Sequence, residues 1–438
     1  MNKLTTALLC AATVMLCACA GPSRAYKTQL QGYIAAKNFD GAAKAVEAAK
    51  QKEYSKKNSL LYYLDHGTVL HDGGKYRDSE YDFDTAERRM DELYTKSLHR
   101  TAGTFLINDN TTEYAGAPHE RALLNVFRSL NYIFLGQLDD AAVEARKVTF
   151  YLDHLREARG PSFNYKDDAF AQYLSAMIFE DAGKADDARI SLANAMKSYE
   201  DYAAHFATPV PADGPAKREY ASKGEVVFLH YNGMAPAKVS RTFQVAWDRA
   251  LLAVSQSNDS EAQGANYKNA LMAGITGNAI TVAYPEYEDM PFLIKSSEIE
   301  TSSSTVPTAL VENISAIAKD ELNNQVAAQR LRMITRATIK FVLAKYAQNT
   351  AKQKSATLGF LAGLVVNAVT AATEVADTRS WAALPAEIRM ARVMLPPGKY
   401  DLKVNFKDSF GNIIAGDILK NVTVSRGKRT YLHYRTAQ

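Results

Sequence analysis

The feature that most constrains the fold is a spacing that recurs along the first half of the chain. In Tyr63-x2-His66-Gly67-x2-Leu70-x3-Gly74-x-Tyr76-x2-Ser79-x3-Phe83-x2-Ala86, a small residue, a glycine stop and an aromatic-to-small run fall at helical intervals. Gly67 lets two helices approach, Gly74 ends the first, and Tyr76, Phe83 and Ala86 line one face of the second. The frame returns at Ser129, Tyr132, Gly136, Leu138, Ala141, Ala145 and Val148, and again at Ala176, Phe179, Gly183, Ala185, Ala188, Leu192 and Ala195. A weaker copy precedes them at Tyr33, Lys37, Phe39, Ala42, Val46 and Ala49. About three stacked units bury a continuous core, so these copies predict a helical array over residues 25–206.

The spacings resemble the tetratricopeptide (TPR) helix-turn-helix repeat. None of the units carries the helix-ending proline of that repeat and their intervals are irregular, so a helical bundle with aromatics filling its core is the alternative. Residues 98–118, with Asn108-Asp109-Asn110-Thr111-Thr112, read as a polar insertion between the second and third units. Either arrangement buries a modest inner surface and offers a concave outer one, a shape that suits a peptide or protein partner.

Three prolines and a glycine between Pro209 and Pro215 mark a boundary at 207–219. Beyond it the period changes. Gly224 to Gly233 reads as a buried strand, with further strands at Ala279–Pro285 and Phe292–Lys295 and a return to helical spacing between Pro307 and Ala351. Tyr400 to Lys407 alternates apolar and polar without a fault, and Phe410-Gly411-Asn412 and Arg426-Gly427-Lys428 read as turns. With Ile388–Leu395, Val422, Val424 and Tyr431–Tyr434, these predict a small antiparallel sheet or sandwich. The expected fold class is α+β, a TPR-like helical repeat region followed by an α+β domain over 220–438.

Composition matters chiefly through cysteine. The chain has 438 residues and 3 cysteines, and Cys10, Cys17 and Cys19 all precede residue 20, which excludes disulfides and cysteine-based zinc sites in the body. Lys3 followed by the apolar stretch Ala7–Leu16 has the order and length of a signal peptide and is too short to span a bilayer. Leu16-Cys17-Ala18-Cys19 resembles the bacterial lipobox. That resemblance implies cleavage after residue 18, diacylation of Cys19 and acylation of the new amino terminus. Ala20, where an inner-membrane retention signal has Asp, favours the outer membrane. Residues 19–24 then read as a lipidated tether to a periplasm-facing body, with the membrane as one partner.

The net charge of +4 is too small and too evenly spread to argue for nucleic acid. The eight histidines show no His-x3-His pair, and no phosphate loop, nucleophile elbow or dinucleotide fingerprint is present, so no metal, cofactor or catalytic residue is expected. His119 and Glu120 diverge by about 100° on a helix, which favours a helix-start or packing role. Asp377, Arg379 and Trp381 form the most suggestive polar cluster. They read either as a ligand or partner site together with His230, or as an ion pair locking the junction between helix and sheet, which is the preferred reading. Leu358–Ala372 is almost wholly apolar with Gly359 and Gly363 in Gly-x3-Gly spacing, and is short for a membrane span, so a buried helix is expected.

Taken in order, Tyr114–Asn125, Glu144-Ala145-Arg146, His230–Gly233, Ala376–Trp381, Leu384-Pro385-Ala386 and Leu395-Pro396-Pro397-Gly398 resemble an uncharacterised family of bacterial outer-membrane lipoproteins with N-terminal TPR-like repeats and a C-terminal α+β domain. The resemblance covers almost the whole mature chain and carries no catalytic residues. Members of that family are often encoded beside lipoprotein activators of peptidoglycan synthases. This implies a non-enzymatic scaffold in envelope biogenesis, its partner a peptidoglycan-synthesis or envelope-assembly factor. The alternative is a tethered α+β domain that binds or hydrolyses a small ligand.

Overall fold

The computed structural model describes residues 21–98, 113–158, 163–211, 222–246, 279–302, 304–324, 333–334, 338 and 376–438. The signal segment with Cys19, most of the 98–118 insertion, residues 212–219 of the boundary and the apolar run 358–372 lie outside the described residues.

Helical hairpins come first, and the fold is mixed α+β. They pair α1 (Arg24–Ala35) with α2 (Phe39–Ala49), α3 (Ser59–Asp72) with α4 (Tyr76–Leu98), α5 (Pro118–Phe134) with α6 (Leu138–Ala158), and α7 (Ala169–Asp181) with α8 (Ala185–His205). All four turns have one geometry. The middle residue takes left-handed φ, at Lys37 (56°), Gly74 (74°), Gly136 (73°) and Gly183 (71°). The next amide then bonds back to a carbonyl of the last helical turn: Asn38 to Tyr33 (2.9 Å), and Lys75 to Leu70, Gln137 to Tyr132 and Lys184 to Phe179 (2.8 Å each). Gly67 packs against Phe83 so closely that a Cβ would fall 2.7 Å from the ring.

Ten strands among the described residues follow in three sheets. The central sheet has the order β10-β1-β7-β6, from β1 (Gly224–Asn232), β6 (Ala309–Glu312), β7 (Glu387–Leu395) and β10 (Arg429–Thr436). The outer sheet runs β5-β4-β8-β9, from β4 (Ser296–Glu300), β5 (Thr305–Pro307), β8 (Gly398–Lys407) and β9 (Ile413–Val424). A separate ribbon joins β2 (Ala237–Ala246) to β3 (Ala279–Glu288). The C-terminal strands divide between two sheets that share a core, and β10 joins β1 in parallel, where antiparallel pairing was expected. Two further expectations are corrected. Phe292–Lys295 is irregular chain, and the strand begins at Ser296; Leu310 sits on β6, where pairing with β7 overrides the helical spacing, and helix begins only at 314.

β1 explains the layering, because all nine of its residues are buried. Val227, Leu229 and Tyr231 join the core of the helices, whereas Val226 and Phe228 join Leu402, Val404 and Phe406 of β8 in a second core. The central sheet therefore lies between a helical layer and the outer sheet, and period two assigns alternate residues to two cores. Polar groups register the layers. Glu225, fully buried on β1, bonds Arg392 of β7 (2.7 Å) and Arg429 of β10 (2.9 Å), and Arg429 continues to Glu180 (2.7 Å) and Asp181 (3.1 Å) on α7.

Among the described residues nothing lies within 4 Å of the Cβ position of Gly183, so Gly183→Ala carries chiefly the left-handed backbone penalty, about 1 kcal/mol. Gly67→Ala is expected to cost more, because the Phe83 ring must move. Denaturant midpoints of the two variants rank them in that order; equal losses would contradict the packing at Gly67.

Candidate docking site

An array of hairpins offers its first helices to a ligand only if their inner face is open. Here α3, α5 and α7 are buried almost all round; every residue of α7 from Ala169 to Phe179 is buried. Part of the covering is the central sheet. Another part is the chain's own irregular segment 376–386, which packs against both the helices and the end of β1.

Trp381 is the wedge of this strap. Its ring lies between Phe83 and Phe127, with centroids 5.9 and 6.0 Å away, and its indole N–H donates to Thr68 Oγ1 (2.9 Å). The strap backbone is bound by ionisable side chains of the helices. Glu120 accepts from the Trp381 amide at Oε1 (2.7 Å), while its Oε2 accepts from the Ala117 amide (2.9 Å) and the Tyr114 hydroxyl (2.6 Å). One carboxylate thus closes the start of α5 and holds the strap. Asp65 accepts from the Ala383 amide (2.7 Å) and the Tyr54 hydroxyl (2.8 Å). Arg435 donates to the Ala383 carbonyl (3.2 Å) and pairs with buried Asp72 (3.2 Å).

Burial pushes the Asp65 carboxyl from 3.8 up to about 7, against the stabilising hydrogen bonds from Ala383, Tyr54 and Ala382 and the charge of Lys27. Lys27 is itself lowered to about 8 by burial, and donates to Ser380 Oγ (3.2 Å). The strap is answered on its other side too: Ala235 donates to the Leu384 carbonyl (2.8 Å) and Ala386 to the Asn232 carbonyl (2.9 Å).

The repeat positions become packing residues. Phe83, Ala86 and Ala141 are fully buried, and Phe179 and Ala188 nearly so. Tyr76 stacks on Phe134 (4.7 Å) and bonds His433 of β10 (2.9 Å). Half-buried Tyr132 hydrogen-bonds Glu80. Asp377 and Arg379 do pair, through Nε (2.8 Å), Nη2 (2.7 Å) and the Arg379 amide (3.0 Å), with the guanidinium over Tyr114 (5.3 Å).

His230 does not join them. It faces the outer sheet, bonded to Ser297 (2.9 Å) and Thr436 (2.8 Å) with its ring 5.0 Å from Phe406, and burial lowers it to about 3. Trp381 belongs to the helical core on the opposite side of the central sheet. The structure thus does not unite His230 with the Asp377–Trp381 segment in one pocket. His119 pairs with Glu321; burial opposes its charged form, yet that carboxylate raises it above its usual value.

Sequence reasoning missed Asp65, Thr68 and Arg435 as strap ligands. The first two occupy unassigned positions inside the Tyr63–Ala86 frame, and nothing local signals that they face a segment more than 300 residues away. Among the described residues no group of three His, Cys, Asp or Glu converges as a metal site, and no helix is long and apolar enough to cross a membrane. No protein family, curated protein or solved structure matches the chain.

Among the helical hairpins, the open surface is the outer one, formed by their second helices. Tyr81 on α4 (71% exposed), Val143 and Phe150 on α6 (47% and 66%) and Ile190 on α8 (48%) stand out from it. Arg146 and Asp187 bridge α6 to α8 beside them (2.8 Å).

Trp381→Ala should cost about 3–5 kcal/mol in unfolding free energy, by emptying the space between two phenylalanines. With Trp247→Phe as background, Trp381 alone should emit in the blue and resist acrylamide until the chain unfolds. An exposed spectrum in the native protein would contradict the seated strap.

Asp65 has a folded-state pKa above its unfolded value, so its contribution to stability is full below about pH 4 and is lost as pH rises through about 7. The stability of the parent relative to Asp65→Asn should therefore fall by roughly 4 kcal/mol between those limits. Urea unfolding at several pH values measures this; a difference that does not change with pH would refute a raised Asp65.

Proposed function

We propose that this chain is an outer-membrane-anchored, periplasm-facing lipoprotein that acts as a non-enzymatic protein–protein interaction scaffold in envelope biogenesis. The anchor is Cys19, and the partner is another envelope protein, of peptidoglycan synthesis or envelope assembly. The hairpins are TPR-like in this reading, supported by one turn geometry repeated at Lys37, Gly74, Gly136 and Gly183. Docking in this reading uses the outer surface, because the strap and the central sheet cover the first helices.

The observation that carries the reading is that successive second helices each expose large apolar side chains, Tyr81, Val143 and Phe150, and Ile190, with the Arg146–Asp187 pair between the last two helices. Aromatic and aliphatic anchors ringed by polar groups are what a protein interface uses at its centre.

Photocrosslinking amino acids placed in cells at positions 143, 150 and 190 should give one defined adduct, and none from buried Phe127. Failure at every outer position would remove the scaffold. Labelled palmitate should incorporate into the parent and not into Cys19→Ser; incorporation into both would remove the anchor.

A further inference from the structure

We infer that the pole where buried Gly21 packs on Arg379, with exposed Ser23, Arg24 and Arg241 around the ribbon's Glu288, is the bilayer-facing end of this protein, held at the lipid headgroups without a flexible tether. The inference rests on the anchoring at Cys19 proposed above and adds an orientation to it.

Packed structure begins at once after the anchor position. Residues 19–24 were expected to form a tether, but Gly21 and Pro22 are buried. A Cβ on Gly21 would fall 2.9 Å from the Arg379 Cα, so the two backbones touch. Ser23 accepts from the Tyr26 amide (3.2 Å) to cap α1, and its own amide donates to Glu53 (2.8 Å). Arg24, the first residue of α1, pairs with Glu288 at the base of the ribbon. Only Ala20 separates Cys19 from this packed chain, and two extended residues reach about 7 Å. Acyl chains on Cys19 therefore bring the pole within about one Debye length of the headgroups.

The chain also re-enters the described body at this pole. The Ala376 amide donates to Ser240 Oγ on β2 (3.3 Å), three residues before Arg379. The apolar run 358–372 ends four residues earlier, a reach of at most about 14 Å.

The arginines described at the pole are each paired with a carboxylate. Arg24 and Arg241 share Glu288, Arg241 also reaches Glu286 (3.5 Å), and Asp377 holds Arg379 (2.7 Å). The acyl anchor and the short connection, more than attraction to anionic lipid, then set the orientation.

The test uses the full-length, acylated protein in phosphatidylethanolamine vesicles, with or without phosphatidylglycerol, containing lipids nitroxide-labelled at the headgroup. Bimane is attached at Ala25→Cys, exposed in the first turn of α1, or at Lys420→Cys on β9. Lys420 is exposed three residues along β9 from Asp417, which Lys37, two residues past the far end of the about 18 Å long α1, reaches (2.7 Å). Quenching should remove most of the emission at residue 25 in both lipid mixtures and leave residue 420 bright. Inserting about 20 Gly/Ser residues between Ala20 and Gly21 should abolish the quenching. Equal quenching at both positions, none at residue 25, or quenching that survives the insertion would overturn the inference. Mass spectrometry of the N-terminal peptide separates the two readings. An unacylated Cys19 removes the anchor itself, whereas an acylated chain without quenching at residue 25 removes only the orientation.

Discussion

Irregular backbone inside a protein is tolerable only when its amides and carbonyls are answered, and on that condition the rest of this structure depends. The strap at 376–386 supplies the donors that buried Asp65 and Glu120 need, and those carboxylates supply the acceptors that the strap needs. Each side alone would strand charge or backbone polarity away from water, at about 1–3 kcal/mol or more for every group left unpaired. Hydrogen bonds to charged groups are the stronger kind, which suits an element with no ladder or helix of its own.

The same logic recurs between the layers. Arg128 on α5 lies against Glu80 (2.8 Å) and Glu87 on α4 and Glu144 on α6 (3.5 Å), while Glu225 and Arg429 join three strands to α7. Buried ion pairs are weak evidence for stability, since desolvation offsets most of their attraction. Their geometry is demanding, however: a helix rotated or a strand slipped by one residue would leave a charge without its partner. Apolar packing brings the layers together, and these pairs fix their register.

The parts legible in the sequence were those with local causes. The turn glycines, the small residue at Gly67, the faultless alternation of Tyr400–Lys407 and the turns at Phe410 and Arg426 all act within a few residues, and the structure has them where the spacing put them. Gly224–Asn232 was recognisable as a buried strand because both its faces are apolar, but that same evenness hides which strands flank it. Segment 376–386 has no period at all. Its Asp377–Arg379 pair was readable from proximity, whereas the seat of Trp381 among Thr68, Phe83 and Phe127 depends on contacts across the whole chain. Leu310 was misread because four residues of strand fall easily into a helical spacing.

The parallel pairing of β1 with β10 bears on when the molecule can form. Glu225 to Asn232 align with Arg429 to Thr436, so one flank of β1 stays unpaired until residues about 200 positions further along the chain have been made. Helical hairpins close over short loops and form quickly, but their inner faces stay uncovered until the strap and β10 arrive from the far end of the chain. A chain built this way has a late commitment step. Until then it exposes apolar surface that must be kept from other chains, and the order in which it is made, more than the strength of its final contacts, sets how long that vulnerable interval lasts.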